Sequence, residues 1–231
     1  MRLCVAILIV LTCAAGTTLA ATTTTYDNQS TFLNLFALPP APITFDGYAL
    51  NPGSTFAFDN AAGLTIDSIQ FVGHNGDSYY YAYIRNPTGN DTSYNWNSGS
   101  IAMTAGYYPG VRNYLTIALP AGINAFGLDL MVANPAAVAN PRDVKITLSD
   151  GTSYTVTTAP NPTRKFWGVS STADISFLTI EAPGAELLID NVYSGTGKSG
   201  DPGPTNPSPE IATFILIGTG LALFRFKFVR G

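Results

Sequence analysis

From Val144 to Thr157 the chain alternates with a period of two. Val144, Ile146 and Leu148 fall on one side, and Lys145 and Thr147 on the other. Asp150-Gly151 follows, and then Tyr154 and Val156 alternate with Thr155 and Thr157. That period belongs to a strand with one buried face; a helix would scatter the same residues around its axis. An Asp-Gly pair between two such runs predicts a hairpin with positive φ at both turn positions. Comparable apolar or alternating runs occur at 43–45, 55–58, 64–72, 79–84, 114–119, 123–132, 165–169, 175–180 and 186–192. Pro52-Gly53, Asn75-Gly76 and Pro183-Gly184 punctuate them, and no amphipathic helical pattern interrupts them. Many short strands at close spacing predict an all-β domain over 43–193, an antiparallel β-sandwich of jelly-roll-like form.

The flanks differ from this body. Met1-Arg2 opens the chain with a positive charge, residues 3–15 are apolar, and Thr18-Leu19-Ala20 fits a small-x-small cleavage site. This is the pattern of a signal peptide over 1–20, with cleavage between Ala20 and Ala21. Both cysteines, Cys4 and Cys13, lie inside it, so an exported body would form no disulfide. Lipid attachment at Cys13 is disfavoured by Thr12, which stands where a smaller residue is usual. Residues 21–42 read as an exposed lead-in stiffened by prolines from Leu38 to Pro42. Residues 194–206 read as a Gly/Pro/Ser linker. Of the 11 basic and 15 acidic residues, Arg2 lies in the leader and Arg225, Lys227, Arg230 and Glu210 lie in the tail. The body is left with a net charge of about −7 and no basic patch to neutralise phosphates, which argues against nucleic acid as a partner.

The tail, 207–231, has three parts: Pro207 to Glu210, an uncharged apolar run from Ile211 to Phe224, and a basic end with Arg225, Lys227 and Arg230. Full membrane span, roughly 20 residues, is reached only if Phe226, Phe228 and Val229 enter the bilayer while the basic groups snorkel. Basic residues after the run predict a cytoplasmic C-terminus, with the body outside. Pro209, Glu210, Ala212 and Thr213, the Gly- and Leu-rich run, and Arg225, Lys227 and Arg230 together resemble the PEP-CTERM sorting signal of Gram-negative bacteria. Where that family usually has a second proline after the glutamate, this chain has Ile211. The resemblance implies export, recognition by an inner-membrane exosortase, and removal of the tail; an uncleaved C-terminal transmembrane anchor is the alternative. The body is also similar in outline to the β-sandwiches of such proteins and to carbohydrate-binding jelly rolls, through the Phe166-Trp167-Gly168 and Ile189-Asp190-Asn191-Val192 stretches.

Candidate sites are few. Tyr94 and Trp96, among Asn95 and Asn97 and near Asn90 and Asp91, form a possible glycan-binding loop of rings edged by amides. Tyr79, Tyr81 and Tyr83 either join this aromatic display or pack on one sheet face. Trp167 is expected in the core. Asp46 and Asp190 are a possible calcium pair, the alternative being carboxylates satisfied by turn amides. His74, the only histidine, is expected in a turn and has no second His or Cys to complete a zinc site. Glu181 and Glu186, the body's only glutamates, are expected as solvated residues flanking a hairpin turn. No catalytic constellation and no cofactor motif stands out. The sequence thus points to an exported structural or adhesive protein of the cell surface or extracellular matrix, not an enzyme. A carbohydrate-binding module acting on biofilm exopolysaccharide is the alternative, and a secreted glycan-active enzyme is the least favoured reading.

Overall fold

The computed structural model describes residues 21–51, 53–76, 79–86, 102–104, 112–133, 141–160 and 163–198. The expected leader, the sorting tail and the Tyr94–Trp96 loop lie outside these residues. The described chain is all-β apart from one short helix. Its elements are β1 (Thr23–Tyr26), α1 (Gln29–Leu33), β2 (Thr55–Phe58), β3 (Leu64–Ile66), β4 (Ile69–Asn75), β5 (Tyr79–Tyr80), β6 (Ala82–Arg85) and β7 (Ala102–Thr104). They continue with β8 (Asn113–Ala118), β9 (Ala125–Ala133), β10 (Asp143–Leu148), β11 (Ser153–Thr157), β12 (Lys165–Ser171), β13 (Phe177–Glu181) and β14 (Glu186–Gly195).

The strands form two antiparallel sheets. The first runs β1-β12-β9-β14-β7-β6-β2; the second runs β11-β10-β13-β8-β4-β3, with β5 added beside β4. Alternation places Phe126, Leu128 and Leu130 of β9 and Leu187 and Ile189 of β14 inward from the first sheet. Leu115 and Ile117 of β8, Val144 and Ile146 of β10, and Leu178 and Ile180 of β13 meet them from the second. All belong to one buried core.

The expected β10–β11 hairpin forms, with Val144 opposite Val156 and Ile146 opposite Tyr154. Its turn differs from expectation. Gly151 has φ +88 and Asp150 is not in the positive region. Leu148 accepts from the Gly151 N–H at 2.9 Å and donates to the Thr152 carbonyl at 2.8 Å. The loop is therefore three residues long, and only its last position needs glycine.

Three expectations of single strands are corrected. The run 64–72 is the hairpin β3–β4, turning at Asp67 and Ser68 with φ 48 and 67. The apolar phase had already slipped there, from Leu64 and Ile66 to Ile69 and Phe71. The run 79–84 changes sheets at Tyr81: β5 pairs with β4 in the second sheet and β6 with β2 in the first. Gly73 permits this crossing, since a Cβ there would lie 2.3 Å from the Tyr81 carbonyl oxygen. The run 43–45 forms only a single bridge, Ile43 to Val192.

The segment expected as an exposed lead-in belongs to the fold. Its β-branched threonines form β1, which pairs with β12 from Thr23–Ser171 to Tyr26–Gly168. Asn28 then caps α1, its side chain accepting from the Thr31 N–H at 2.9 Å. The helix carries Phe32, fully buried, onto the outer face of the first sheet. There Gly127 and Gly168, directly opposite each other on β9 and β12, leave a socket for the ring. Phe32 also makes edge contacts with Tyr26 and Phe36, and these rings form a second small core with Leu35, Phe166 and Tyr193. The start of the expected linker is tied down as well: β14 continues to Gly195, Gly197 N–H donates to Asn124 Oδ1 at 2.7 Å, and Lys198 N–H donates to the Leu35 carbonyl at 2.9 Å.

Candidate functional site

A mismatch in strand length builds a concavity at one side of the sandwich. β12 has seven residues and its partner β1 has four, so Lys165, Phe166 and Trp167, paired with β9 on one side, run on past Tyr26 without a neighbour on the other. β11, the edge of the second sheet, lies across the gap. Between the two sheet edges is a cleft of about 540 Å³, lined by residues of β1, β11 and β12 together with Asp27. Volumes of a few hundred Å³ are typical of sites for small ligands.

Each wall follows from alternation. Thr23 and Thr25 point inward because their partners Ser171 and Val169 do. Thr25 lines the cleft, while Tyr26 turns the other way onto Phe32. Trp167, 4% exposed, is buried against the floor, and the Tyr154 ring stands 5.7 Å from it at 54°. The Tyr154 hydroxyl donates to Thr23 Oγ1 and so ties the two sheets together beside the cleft. Thr155 and Thr157 complete the lining on the β11 side, with Thr157 Oγ1 donating to Asp143 Oδ1 at 2.7 Å. Lys165 and Asp27 both line the cleft, and among the described residues neither has an ion-pair partner. Rings, hydroxyls and one charge of each sign suit a hydroxylated ligand. Asp27 is the only carboxylate among the described lining residues.

A second polar group sits on the outer face of the first sheet. Asp129 and Asp190 lie directly opposite each other on β9 and β14. The repulsion expected of such a pair is relieved by Arg164, whose Nη1 is 3.4 Å from Asp129 Oδ2 and 3.5 Å from Asp190 Oδ2. Asn191 Nδ2 also donates to Asp129 Oδ2, at 2.8 Å. Tyr193, which accepts from Gln29 Nε2, has its pKa raised above the usual 10.0, first by burial and then by the Asp129 carboxylate. Glu186 is buried, 1% exposed, and accepts from the Tyr83 hydroxyl. Glu186 and Asp190 are four residues apart on one strand, roughly 13 Å, too far to share one reaction centre.

The outer face of the second sheet carries a ring stack. His74 lies flat on Tyr114 at 4.3 Å and 6°, with Tyr80 tilted against it at 5.3 Å. Arg112 sits 4.6 Å from the Tyr114 ring centre and pairs with Glu181 at 2.7 Å.

These positions settle several sequence expectations. His74 is in β4, not a turn. Glu181 and Glu186 do not flank a hairpin: β13 is in the second sheet and β14 in the first, so 182–185 crosses between sheets, and Glu186 arrives buried. Trp167 is in the core, as expected. Tyr79 and Tyr81 are 75% and 38% exposed whereas Tyr83 is 8% exposed, so the three do not share one packed face. Asp46 is exposed and Asp190 is engaged with Arg164. Among the described residues no group of three or more His, Cys, Asp or Glu side chains is arranged to hold a metal, and no helix is long and apolar enough to cross a membrane. Ala21 is the first described residue. Ala20, Tyr94, Asn95, Trp96, Asn97, Pro209, Glu210, Ala212, Thr213, Arg225, Lys227 and Arg230 lie outside. Sequence reasoning missed the cleft because Thr25 and Asp27 were assigned to a lead-in; the run of threonines before Tyr26 was the strand signal.

No family model matches the chain, and neither does any curated protein. Several solved structures are similar in outline. The K2 cleaved adhesin domain of Lys-gingipain matches at 13% identity over 67% of this chain and 98% of that one, with a TM-score of 0.36. A family 29 carbohydrate-binding module matches at 17% identity over 62% and 90%, with a TM-score of 0.30. The enzymatically active domain of tailspike protein 4 from bacteriophage CBA120 matches at 14% identity over 57% of this chain and 20% of that one, with a TM-score of 0.31. Such faint likenesses assign neither a site nor a ligand to the chain.

Proposed function

We propose that this chain is an exported adhesive protein of the cell surface or extracellular matrix, whose jelly-roll-like sandwich holds polysaccharide in its lateral cleft. The observation that carries the reading is the cleft itself: about 540 Å³, with the partly buried Tyr154 ring on its wall, the buried Trp167 beneath its floor, and hydroxyl and charged groups in its lining. Rings offer apolar faces to a sugar, and polar groups fix its orientation. A single carboxylate among the described lining residues supports retention of the ligand rather than its hydrolysis. The leader over 1–20 supports export, and the three-part tail over 207–231 supports handling by an exosortase. The low charge and hydroxyl-rich composition of the body are in keeping with a matrix protein.

The test is a glycan-array screen with the full chain in a non-glycosidic detergent, repeated with Thr25→Trp. Thr25 is exposed and points into the cleft, so the added ring fills the cleft while leaving the core intact. Binding to one or more polysaccharides, abolished in Thr25→Trp, is expected. Wild-type protein that binds no glycan, or a variant that binds as well as wild type, would overturn the assignment of the cleft.

A further inference from the structure

Lys165 and Asp27 pose a question that the rings do not. They line the same cleft with opposite charge, yet neither is committed to an ion pair with the other or with any other described residue. We infer that the cleft selects a neutral, hydroxyl-rich saccharide, whose hydroxyls donate to the Asp27 carboxylate and accept from the Lys165 ammonium; this rests on the proposed glycan-binding role. A hydroxyl is both donor and acceptor, so a neutral sugar can satisfy both groups at once. Each such bond involves a charged partner and belongs to the stronger class of hydrogen bond.

A uronate-bearing chain would serve Lys165 and collide with Asp27. Its approach is also opposed at longer range, since the body carries a net charge of about −7. A cationic amino-sugar chain would reverse the local problem and place its charge against Lys165. The neighbouring groups reinforce the choice. Thr25 contributes a hydroxyl without charge, and Tyr154 contributes ring surface without charge.

The experiment is calorimetric titration of the full chain with neutral β-(1→4)-linked gluco-, manno- and galacto-hexaoses, and with an oligogalacturonate as the acidic probe. Asp27→Asn, Lys165→Gln and Lys165→Arg are compared with wild type at two salt concentrations. Expected is binding of a neutral hexaose that changes little with salt, is weakened about tenfold by Asp27→Asn and by Lys165→Gln, and is largely kept by Lys165→Arg. Binding of the oligogalacturonate instead, tightened by Asp27→Asn and weakened by salt, overturns the inference while leaving the glycan-binding role standing. Failure of every probe to bind overturns both. Thermal melts accompany each variant, and an unchanged melting temperature assigns the loss to the cleft.

Discussion

Gly168 and Phe32 provide the sharpest check that the N-terminal segment belongs to the fold. A Cβ at 168 would lie 2.7 Å from Phe32 Cδ2 and 3.1 Å from its Cγ. The backbone itself raises no objection, because Gly168 is not in the positive-φ region. In an open strand position, replacing Gly by Ala would stabilise by roughly 0.5–1 kcal/mol. Here the methyl meets a fully buried ring, and overpacking of that kind costs about 1–3 kcal/mol. Gly168→Ala is therefore expected to destabilise. Phe32→Ala empties the socket and should cost about 3–5 kcal/mol. In the Phe32→Ala background the two closest contacts are gone and only Phe166 Cε1, at 3.2 Å, remains, so Gly168→Ala should become neutral or stabilising by up to about 1 kcal/mol. The coupling between the two sites is then on the order of 1–4 kcal/mol, measurable as a double-mutant cycle by urea denaturation. Additive effects, or a Phe32→Ala penalty below about 1 kcal/mol, would refute the socket, with residues 21–42 then lying outside the cooperative fold.

Tyr83→Phe removes a donor from the buried Glu186 carboxylate and should cost about 1–3 kcal/mol, read as a lower urea midpoint at unchanged slope. Tyr193 keeps its proton to higher pH in the folded state than in the unfolded chain, so its contribution to stability is complete below about pH 10 and is lost as pH rises beyond it. Melting temperatures taken across that range should fall less steeply in Tyr193→Phe than in wild type, and parallel curves would rule out the linkage. In the producing cell, Glu210→Ala should accumulate precursor that retains Arg230 by intact mass; identical processing of wild type and variant would remove the sorting signal from consideration.

Strand content was legible because alternation is local. The runs at 55–58 and 144–157 needed nothing beyond the period of two, and β10–β11 formed with the expected partners. Even the β3–β4 turn was written in the chain, as the slip of apolar phase between Ile66 and Ile69. Sheet membership was not legible. The chain changes sheets at Tyr81 and again across 182–185, and an alternating pattern reads the same on either side of such a crossing. That is why Glu186 looked solvated: hairpin and crossover share the turn residues Pro183-Gly184, and only the second carries Glu186 onto the first sheet, where it is buried against Tyr83. The cleft is less legible still, since it exists because β1 stops three residues short of β12, and β11 belongs to another sheet. Burial and concavity are properties of residues far apart in the chain, whereas pattern and propensity are properties of neighbours. The sequence by itself determined an all-β chain of short antiparallel strands; the tertiary structure alone decided which of those strands share a sheet, which carboxylates are buried, and where two sheet edges part to leave a cleft.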